Sequence, residues 1–239
     1  MPSSTRGRSV PAFFGRVDPY FAVGFGSVLA LGVLFTVVSA HTAPPVHPER
    51  MPQAVLTRLR TEATGQVMGS RPGAVRVVEI TDYQCPACAT AHRETWGLLQ
   101  RYAAAGAITY EVRNVALPGH SNAAPAAVAA TCVATVAPGS FWSFHDLLYA
   151  TQEQWAGRLA PQPTLLGLVA RVGGDSARVR ACMEARGDAL AAGVQQAFHT
   201  AAAAGFPYTP VWMVNGKVVL WQDLEQEIRA AGRDSGRAG

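Results

Sequence analysis

The chain has 239 residues, which is enough for one domain or for one domain with an insertion. Its formal net charge is +4, and Lys217 is the only lysine among basic residues that are otherwise arginines. There is no basic run and no interleaving of basic with aromatic residues, so we expect no nucleic acid partner. The apolar fraction of 49% is ample for a hydrophobic core.

The N-terminal part of the chain has the pattern of a membrane anchor. Residues 1–19 are polar and predicted to be a cytoplasmic tail, whereas residues 20–40 contain no charge and are long enough to span a bilayer. Three arginines precede the apolar stretch: Arg6, Arg8 and Arg16. The positive-inside rule then places the remainder of the chain outside the cytoplasm. The alternative is a cleavable signal peptide ending at Val38-Ser39-Ala40, which would export the same domain.

The region after the anchor leads into the folded domain. Residues 41–64 are predicted to be a linker, because prolines recur over 44–52, with a short helix around Val55 and Leu59. Val67 and Met68 are predicted to form a first edge strand before a glycine-rich turn. The folded domain is predicted to cover residues 65–235.

Two cysteines follow a predicted strand and open a predicted helix. The strand is indicated by a run of β-branched residues: Val75, Val77, Val78 and Ile80. Pro86 is well placed as a first helical residue, since its missing N–H would be unpaired there anyway. Cys85 therefore lies at the helix N-terminus, with Cys88 about one turn later on the same face.

A thiol at a helix N-terminus feels the positive end of the helix dipole, which favours the thiolate and raises its nucleophilicity. Cys85 is the predicted attacking thiol, and Cys88 is close enough to form a disulfide with it. The alternative is a zinc half-site made by Cys85, Cys88 and His92, but no second cysteine pair follows at zinc-finger spacing. We expect neither a metal nor a cofactor. The other histidines have no spacing that recommends a metal site: His120, His145 and His199.

The next segments predict a βαβ unit followed by a helical block. Residues 107–115 form a strand, expected to lie parallel to the first through a right-handed crossover. Residues from about 120 to 198 are almost free of strand signals and are predicted to be an inserted helical domain. Its predicted helices are 123–136, the aromatic helix 141–149, 152–155, 164–172, one capped by Asp175, and 188–204. The aromatic helix either lines a peptide groove or packs the insertion against the sheet.

The C-terminal segment predicts a hairpin and a last helix. Residues 205–219 contain a loop, a strand, the turn Asn215-Gly216 and a second strand. A helix over 222–231 follows, with Leu224 and Ile228 facing inward. Together the elements predict an α/β fold.

Residues 78–88, with the sequence VEITDYQCPAC, resemble the active-site segment of DsbA-like thiol:disulfide oxidoreductases, which have a thioredoxin fold with an inserted helical domain. The resemblance implies that Cys85 and Cys88 are the redox pair. Glu79, six positions before Cys85, matches the family's buried acidic residue, which assists proton transfer. Strongly oxidising enterobacterial members carry histidine where this chain has Ala87.

Thr209-Pro210, ahead of the predicted hairpin, is similar to the cis-proline motif of thioredoxin folds. The resemblance implies that Thr209 and Pro210 bind the substrate backbone next to the cysteine pair, with Pro86 and Ala87 lining the same site. An ordinary trans proline at a strand start is the alternative.

The remaining two cysteines, Cys132 and Cys182, fall on separate predicted helices of the insertion. We expect a structural disulfide between them, as some actinobacterial DsbA-like proteins have a second pair in this place. Such a bond would close a loop of about 50 residues, worth about 4 kcal/mol in the chain-entropy model. The alternative is two free buried thiols.

The resemblance implies a membrane-anchored, extracytoplasmic enzyme that forms disulfides in exported thiol-containing proteins. It would be reoxidised by a DsbB-like or VKOR-like membrane quinone reductase. One alternative is a reductase or isomerase of the same fold, for example in cytochrome c maturation. The other is a non-catalytic binding module or chaperone.

Overall fold

The computed structural model describes residues 49–62, 65–69 and 75–237. The predicted tail 1–19, the predicted membrane span 20–40 and the first part of the predicted linker lie outside the described residues. Within the described ranges, no helix has both the length and the apolar character needed to cross a bilayer.

Five strands within the described residues form one mixed sheet in the order β1-β3-β2-β4-β5. They are β1 (Gln66–Met68), β2 (Val75–Thr81), β3 (Ile108–Asn114), β4 (Val211–Val214) and β5 (Lys217–Val219). β2 and β3 pair in parallel, as predicted, and the other pairings are antiparallel. The predicted edge strand at Val67 and Met68 is confirmed as β1.

The central strand β2 is buried on both faces, because helices cover each side of the sheet. Side chains alternate along a strand. Val77, Glu79 and Thr81 therefore share one face of β2, while Val78 and Ile80 share the other. Val77 packs in the core that contains Cys85 and Cys88, and Val78 and Ile80 pack in a separate core. One face of β2 is therefore turned toward the predicted redox site.

The helices are bounded much as the sequence predicts. They are α1 (Gln53–Glu62), α2 (Pro86–Ala104), α3 (Ala123–Val136), α4 (Phe141–Ala150), α5 (Gln152–Trp155), α6 (Gln162–Arg171), α7 (Ser176–Ala203) and α8 (Leu224–Arg237). α3 to α7 form the predicted insertion between β3 and β4. Short 3₁₀ turns occur at Pro138–Ser140 and Trp221–Asp223.

The prediction of two helices over 176–204 is wrong, because α7 is continuous for 28 residues. Asp175 caps it as predicted, and its side chain accepts hydrogen bonds from the N–H groups of Ala177 and Arg178, both at 3.0 Å. The second of the two predicted helices starts at Asp188, directly after Gly187. A helical glycine costs only about 1 kcal/mol relative to alanine, which is too little to interrupt a capped and packed helix.

The second half of the predicted linker belongs to the folded domain. Leu56 and Leu59 of α1 are buried in the core beneath the second face of the sheet. Glu62 accepts a 2.5 Å hydrogen bond from the Thr200 hydroxyl of α7. Upstream of α1, the Val218 N–H donates to the Glu49 carbonyl at 2.7 Å. The domain therefore includes residues before the predicted boundary at 65.

The C-terminal hairpin turns at Asn215 and Gly216, as predicted. Both residues have positive φ, 47° and 82°, which is what a two-residue turn between right-twisted strands requires. The Asn215 side chain also accepts a 2.9 Å hydrogen bond from the Arg76 N–H. In α8, Leu224 and Ile228 are buried, which confirms their inward orientation.

Candidate active site

Cys85 and Cys88 lie where the chain passes from β2 into α2. Cys85 is the N-cap of α2, with extended backbone (φ −72°, ψ 122°), and Pro86 begins the helix. Cys85 is 7% exposed and Cys88 is 0% exposed, so an incoming sulfur can approach only the first cysteine. Both are free thiols in the structure. Pro86 and Ala87 are exposed beside them.

The two thiols differ sharply in acidity. The hydrogen bond from the Cys88 thiol is the main cause that lowers the pKa of Cys85 to about 5. Burial opposes this change, but the Thr209 side chain and the backbone N–H groups of Ala87 and Cys88 add to it. Burial raises the pKa of Cys88 well above its ordinary value, and the neighbouring Cys85 raises it further. Cys85 is therefore a thiolate at neutral pH while Cys88 keeps its proton.

The Thr209–Pro210 loop lies directly against Cys85. The peptide bond between Thr209 and Pro210 is cis, and the Cys85 Sγ atom lies 3.7 Å from the Thr209 carbonyl oxygen. β4 starts at Val211 and pairs with β2, which fixes the loop next to the end of that strand. The structure thus brings together the cysteine pair and the Thr-Pro motif, which are 121 residues apart from Cys88 to Thr209 in the sequence.

A buried carboxyl group shapes the turn before Cys85. Asp82 accepts hydrogen bonds from the Gln84 N–H (2.7 Å), the Leu117 N–H (2.9 Å) and His120 Nδ1 (2.8 Å). Its own carbonyl accepts from the Cys85 N–H at 3.0 Å. Burial raises the pKa of Asp82, and the three hydrogen bonds act against that rise.

The helical insertion holds the same turn from its other side. The Gln152 amide donates to the carbonyl oxygens of Tyr83 (2.7 Å) and Cys85 (3.0 Å). The Gln84 amide donates to the Ala156 carbonyl at 2.9 Å and accepts from the Asn122 N–H at 2.7 Å. The backbone around the Cys85 sulfur is therefore fixed by side chains from two different parts of the chain.

Glu79 is buried on the face of β2 that is turned toward the cysteines. The Tyr110 hydroxyl donates a short hydrogen bond to its Oε2 atom. Burial raises the pKa of Glu79 to about 7, and the hydrogen bond from Tyr110 opposes that rise. A carboxyl group with this pKa can both accept and release a proton at neutral pH.

Two histidines lie among aromatic rings below the site. His145 is fully buried and bonded through Nδ1 to the Tyr83 hydroxyl at 2.8 Å, and burial lowers its pKa well below the ordinary value. His92 bonds to Asp146 at 2.9 Å through Nε2. Within the described residues, no three histidine, cysteine or acidic side chains converge on one point.

The aromatic helix α4 packs the insertion against the sheet. Phe141, Leu148 and Tyr149 are buried in the main core, and Trp142 packs against its edge. The Tyr149 hydroxyl forms a 2.6 Å hydrogen bond with the Thr81 hydroxyl at the end of β2. The structure therefore agrees with the packing alternative for this helix.

The second cysteine pair joins two helices of the insertion. The Sγ atoms of Cys132 in α3 and Cys182 in α7 lie 2.06 Å apart, in a disulfide that links residues 50 positions apart. It joins the two longest helices of the insertion, which pack along each other.

Several residues of this site were not singled out by the sequence patterns. They are Thr81, Asp82, Tyr110, His120, Tyr149 and Gln152. The one usable signal was strand alternation, which places Thr81 on the same face as Glu79. The others come from segments that meet only in the folded chain.

The sequence model described as thioredoxin matches residues 61–231, most of the chain. The chain belongs to this thioredoxin family. The fold, a thioredoxin-like α/β domain with a helical insertion, agrees with that membership and with the predicted resemblance to DsbA-like proteins.

Two curated relatives match parts of the chain. The chain is 31% identical over 110 residues to disulfide bond formation protein D of Bacillus subtilis, covering 44% of this chain and 47% of that protein. It is 35% identical over 153 residues to Na(+)/H(+) antiporter NhaA 3 of Salinispora tropica, covering 63% of this chain and 22% of that protein. The chain thus matches less than half the length of either relative.

The solved structure of oxidised BdbD from Bacillus subtilis is similar in fold. Its TM-score is 0.63 at 21% identity, over 77% of this chain and 97% of that chain. Nearly the whole BdbD chain is therefore matched by this chain.

Proposed function

We propose that the protein is an extracytoplasmic thiol:disulfide oxidoreductase that forms disulfides in exported proteins through Cys85 and Cys88. The observation that carries the proposal is that the pKa values of the two thiols shift in opposite directions. The pKa of Cys85 is lowered to about 5, and that of Cys88 is raised. Stabilising the Cys85 thiolate stabilises the reduced enzyme. A stabilised reduced form makes the Cys85–Cys88 disulfide a strong oxidant.

The reaction begins with attack by a substrate thiolate on the Sγ atom of Cys85. The Cys85–Cys88 bond breaks, a mixed disulfide forms at Cys85, and Cys88 leaves as a thiolate that takes up a proton. A second substrate thiolate then attacks the substrate sulfur of the mixed disulfide. The substrate gains a disulfide, and the enzyme is released with Cys85 as a thiolate, its favoured state.

The surroundings of the cysteines support roles for the other site residues. Glu79, with a pKa of about 7, supplies or accepts the Cys88 proton. Thr209 and Pro210 bind the backbone of the substrate next to Cys85, in strand-like fashion. Pro86 and Ala87, exposed between the cysteines, contact the substrate on the other side of the sulfur.

Three further parts of the proposal concern the setting of the enzyme. Residues 20–40 anchor it in the membrane, with residues 1–19 in the cytoplasm and the catalytic domain outside. A DsbB-like or VKOR-like membrane quinone reductase reoxidises it. Its substrates are exported proteins that carry pairs of thiols. The name of the B. subtilis relative, disulfide bond formation protein D, agrees with this direction of electron flow.

The reductase and isomerase alternative is not favoured by the acidity of Cys85. A reductase needs a reduced state that gives up electrons readily, whereas a stabilised thiolate retains them. The non-catalytic alternative leaves unexplained why the more accessible cysteine is the acidic one. Ala87 in place of histidine does not prevent the lowering of the Cys85 pKa, because Cys88, Thr209 and backbone N–H groups produce it.

The direct test is oxidation of reduced, unfolded ribonuclease A by the oxidised protein, compared with its Cys85→Ser and Cys88→Ser variants. We expect the wild-type protein to transfer one disulfide per molecule. Cys85→Ser should be inactive. Cys88→Ser, with its Cys85 thiol first activated as a mixed disulfide with a small thiol, should accumulate a mixed disulfide with the substrate. Full activity of Cys85→Ser would contradict the proposal.

A further inference from the structure

The Thr81 hydroxyl lies buried on the face of β2 that also carries Glu79 and is turned toward Cys88. Thr81 is 0% exposed and ends β2 two residues after Glu79, so both side chains are on the face that is turned toward Cys88. Burial raises the pKa of Cys88 and of Glu79, and the Thr81 hydroxyl acts against that rise in both groups. One hydroxyl is therefore within interaction range of the sulfur and of the carboxyl group.

Tyr149 determines which way the Thr81 proton points. The two hydroxyl oxygens are 2.6 Å apart, and within the described residues Thr81 is the hydrogen-bond partner of this phenol. Burial raises the pKa of Tyr149 well above its ordinary value, so the phenol keeps its proton. Because a buried O–H needs an acceptor, Tyr149 donates to Thr81. The Thr81 proton is then left to donate to the sulfur or to the carboxylate.

The Glu79 carboxyl group is held so that one oxygen stays available. Tyr110 donates to Oε2, whereas Oε1 is buried and has no hydrogen-bond partner among the described residues. Leaving a buried carboxyl oxygen unpaired is unfavourable, so such an atom in a site calls for an explanation. Exchange of a proton with Thr81 provides one.

We propose that Thr81 is a proton relay between Cys88 and Glu79, and that Tyr149 is the positioning residue that orients it. The relay rests on the proposed function, because it serves the step in which Cys88 leaves as a thiolate. The Thr81 proton moves to the Cys88 sulfur, and the Glu79 carboxyl proton moves to the Thr81 oxygen. Cys88 becomes a thiol, Glu79 becomes a carboxylate, and Thr81 is regenerated. Reoxidation runs the same two transfers in reverse.

The test compares Thr81→Val, which keeps the shape and removes the hydroxyl, with Thr81→Ser, which keeps the hydroxyl. Thr95→Val is the matched control, because Thr95 is also buried and its hydroxyl donates to the Ala91 carbonyl at 2.8 Å, away from Glu79. The first readout is the rate at which a synthetic dithiol peptide reduces the Cys85–Cys88 disulfide between pH 5 and 9. We expect a loss of about 100-fold in Thr81→Val, the usual size of general acid–base catalysis, with most of the rate retained in Thr81→Ser and Thr95→Val.

The second readout is the titration of the Glu79 carboxyl carbon by NMR in the reduced protein, which requires no oxidase activity. Thr81→Val should raise the pKa of Glu79 further, since the hydroxyl that lowers it is lost, whereas Thr81→Ser and Thr95→Val should leave it near 7. Tyr149→Phe should slow peptide oxidation without abolishing it, because the Thr81 proton is no longer directed.

Wild-type rates and an unchanged Glu79 titration in Thr81→Val would overturn the relay. Equal rate losses in Thr81→Ser and Thr81→Val would also overturn it, because the hydroxyl would then be irrelevant. If Thr81→Val does not fold, Thr81→Ser and Tyr149→Phe still carry the test. Failure of the proposed function has a different signature, since the wild-type protein would not oxidise the peptide while the Glu79 titration still reports on Thr81.

Discussion

The side-chain amide of Gln152, at the start of the short helix α5, donates a 3.0 Å hydrogen bond to the carbonyl oxygen of Cys85. A second hydrogen of the same amide is donated to the Tyr83 carbonyl at 2.7 Å. The helical insertion thus holds the backbone of Cys85 in place. An insertion in this position helps to set the geometry and the electrostatics of the thiol.

Changing Gln152 to Glu should raise the pKa of Cys85 above its value of about 5. The carboxylate cannot donate to either carbonyl, and it places a negative charge near a thiolate, which disfavours ionisation of the thiol. The pKa is measured from thiolate absorbance at 240 nm in the reduced protein. Gln154→Glu, an exposed position two residues along, is the control and should leave the titration unchanged. An unaltered Cys85 titration in Gln152→Glu would show that the contact is unimportant.

Alkylation of the reduced protein by iodoacetamide should follow a titration with its midpoint at about pH 5, because the rate follows the Cys85 thiolate fraction. Mass spectrometry after digestion should locate the modification on Cys85, with Cys88 unmodified at neutral pH because burial raises its pKa. A midpoint near the ordinary cysteine value of about 8.5 would contradict the assigned electrostatics.

Glu79 should make the reduced protein less stable as the pH rises. Burial raises its pKa from 4.5 to about 7, so between these values the folded protein holds a proton that the unfolded chain has released. Stability from this group is complete below about pH 4.5 and is lost as the pH rises through about 7. The shift corresponds to a loss of about 3 kcal/mol at alkaline pH.

Glu79→Gln removes this ionisation, so the variant should be more stable than the wild type at pH 8.5 and comparable near pH 5. Denaturant unfolding at the two pH values measures the difference, and Glu184→Gln, at an exposed position, is the control. The same stability difference at both pH values would mean that Glu79 does not titrate in this range.

Replacing both Cys132 and Cys182 by alanine should lower the free energy of unfolding by about 4 kcal/mol, because the bond closes a loop of about 50 residues. The titration of Cys85 should stay unchanged, since the bond joins α3 and α7 within the insertion. Denaturant unfolding and absorbance at 240 nm measure the two effects on one sample. Unchanged stability would argue against a structural role for the bond.

The parts of the site that could be predicted are those that depend on short motifs of neighbouring residues. A strand followed by Cys-Pro-Ala-Cys sets both cysteines on one helix face, and the acidic residue six positions before Cys85 lies on the preceding strand. Asn215-Gly216 determined the hairpin because the turn needs two residues with positive φ. Each of these signals depends on a few neighbouring residues, and each element formed where it was predicted.

The parts that could not be predicted depend on contacts between distant segments. Tyr149 reaches Thr81 across 68 positions, and His120 reaches Asp82 across 38. Nothing in the spacing of these residues distinguishes them from ordinary core or surface positions. The continuity of α7 was missed for a similar reason, since packing outweighed the small local cost of Gly187.

The central claim is that the Cys85 thiolate is stabilised so strongly that the disulfide acts as an oxidant. The most direct test is the equilibrium reduction potential of Cys85–Cys88 against glutathione. We expect a value toward the oxidising end of the known range, near about −120 mV, because the reduced form is stabilised. A value near about −270 mV, typical of thioredoxin, would contradict the account and would mean that electrons flow in the reducing direction.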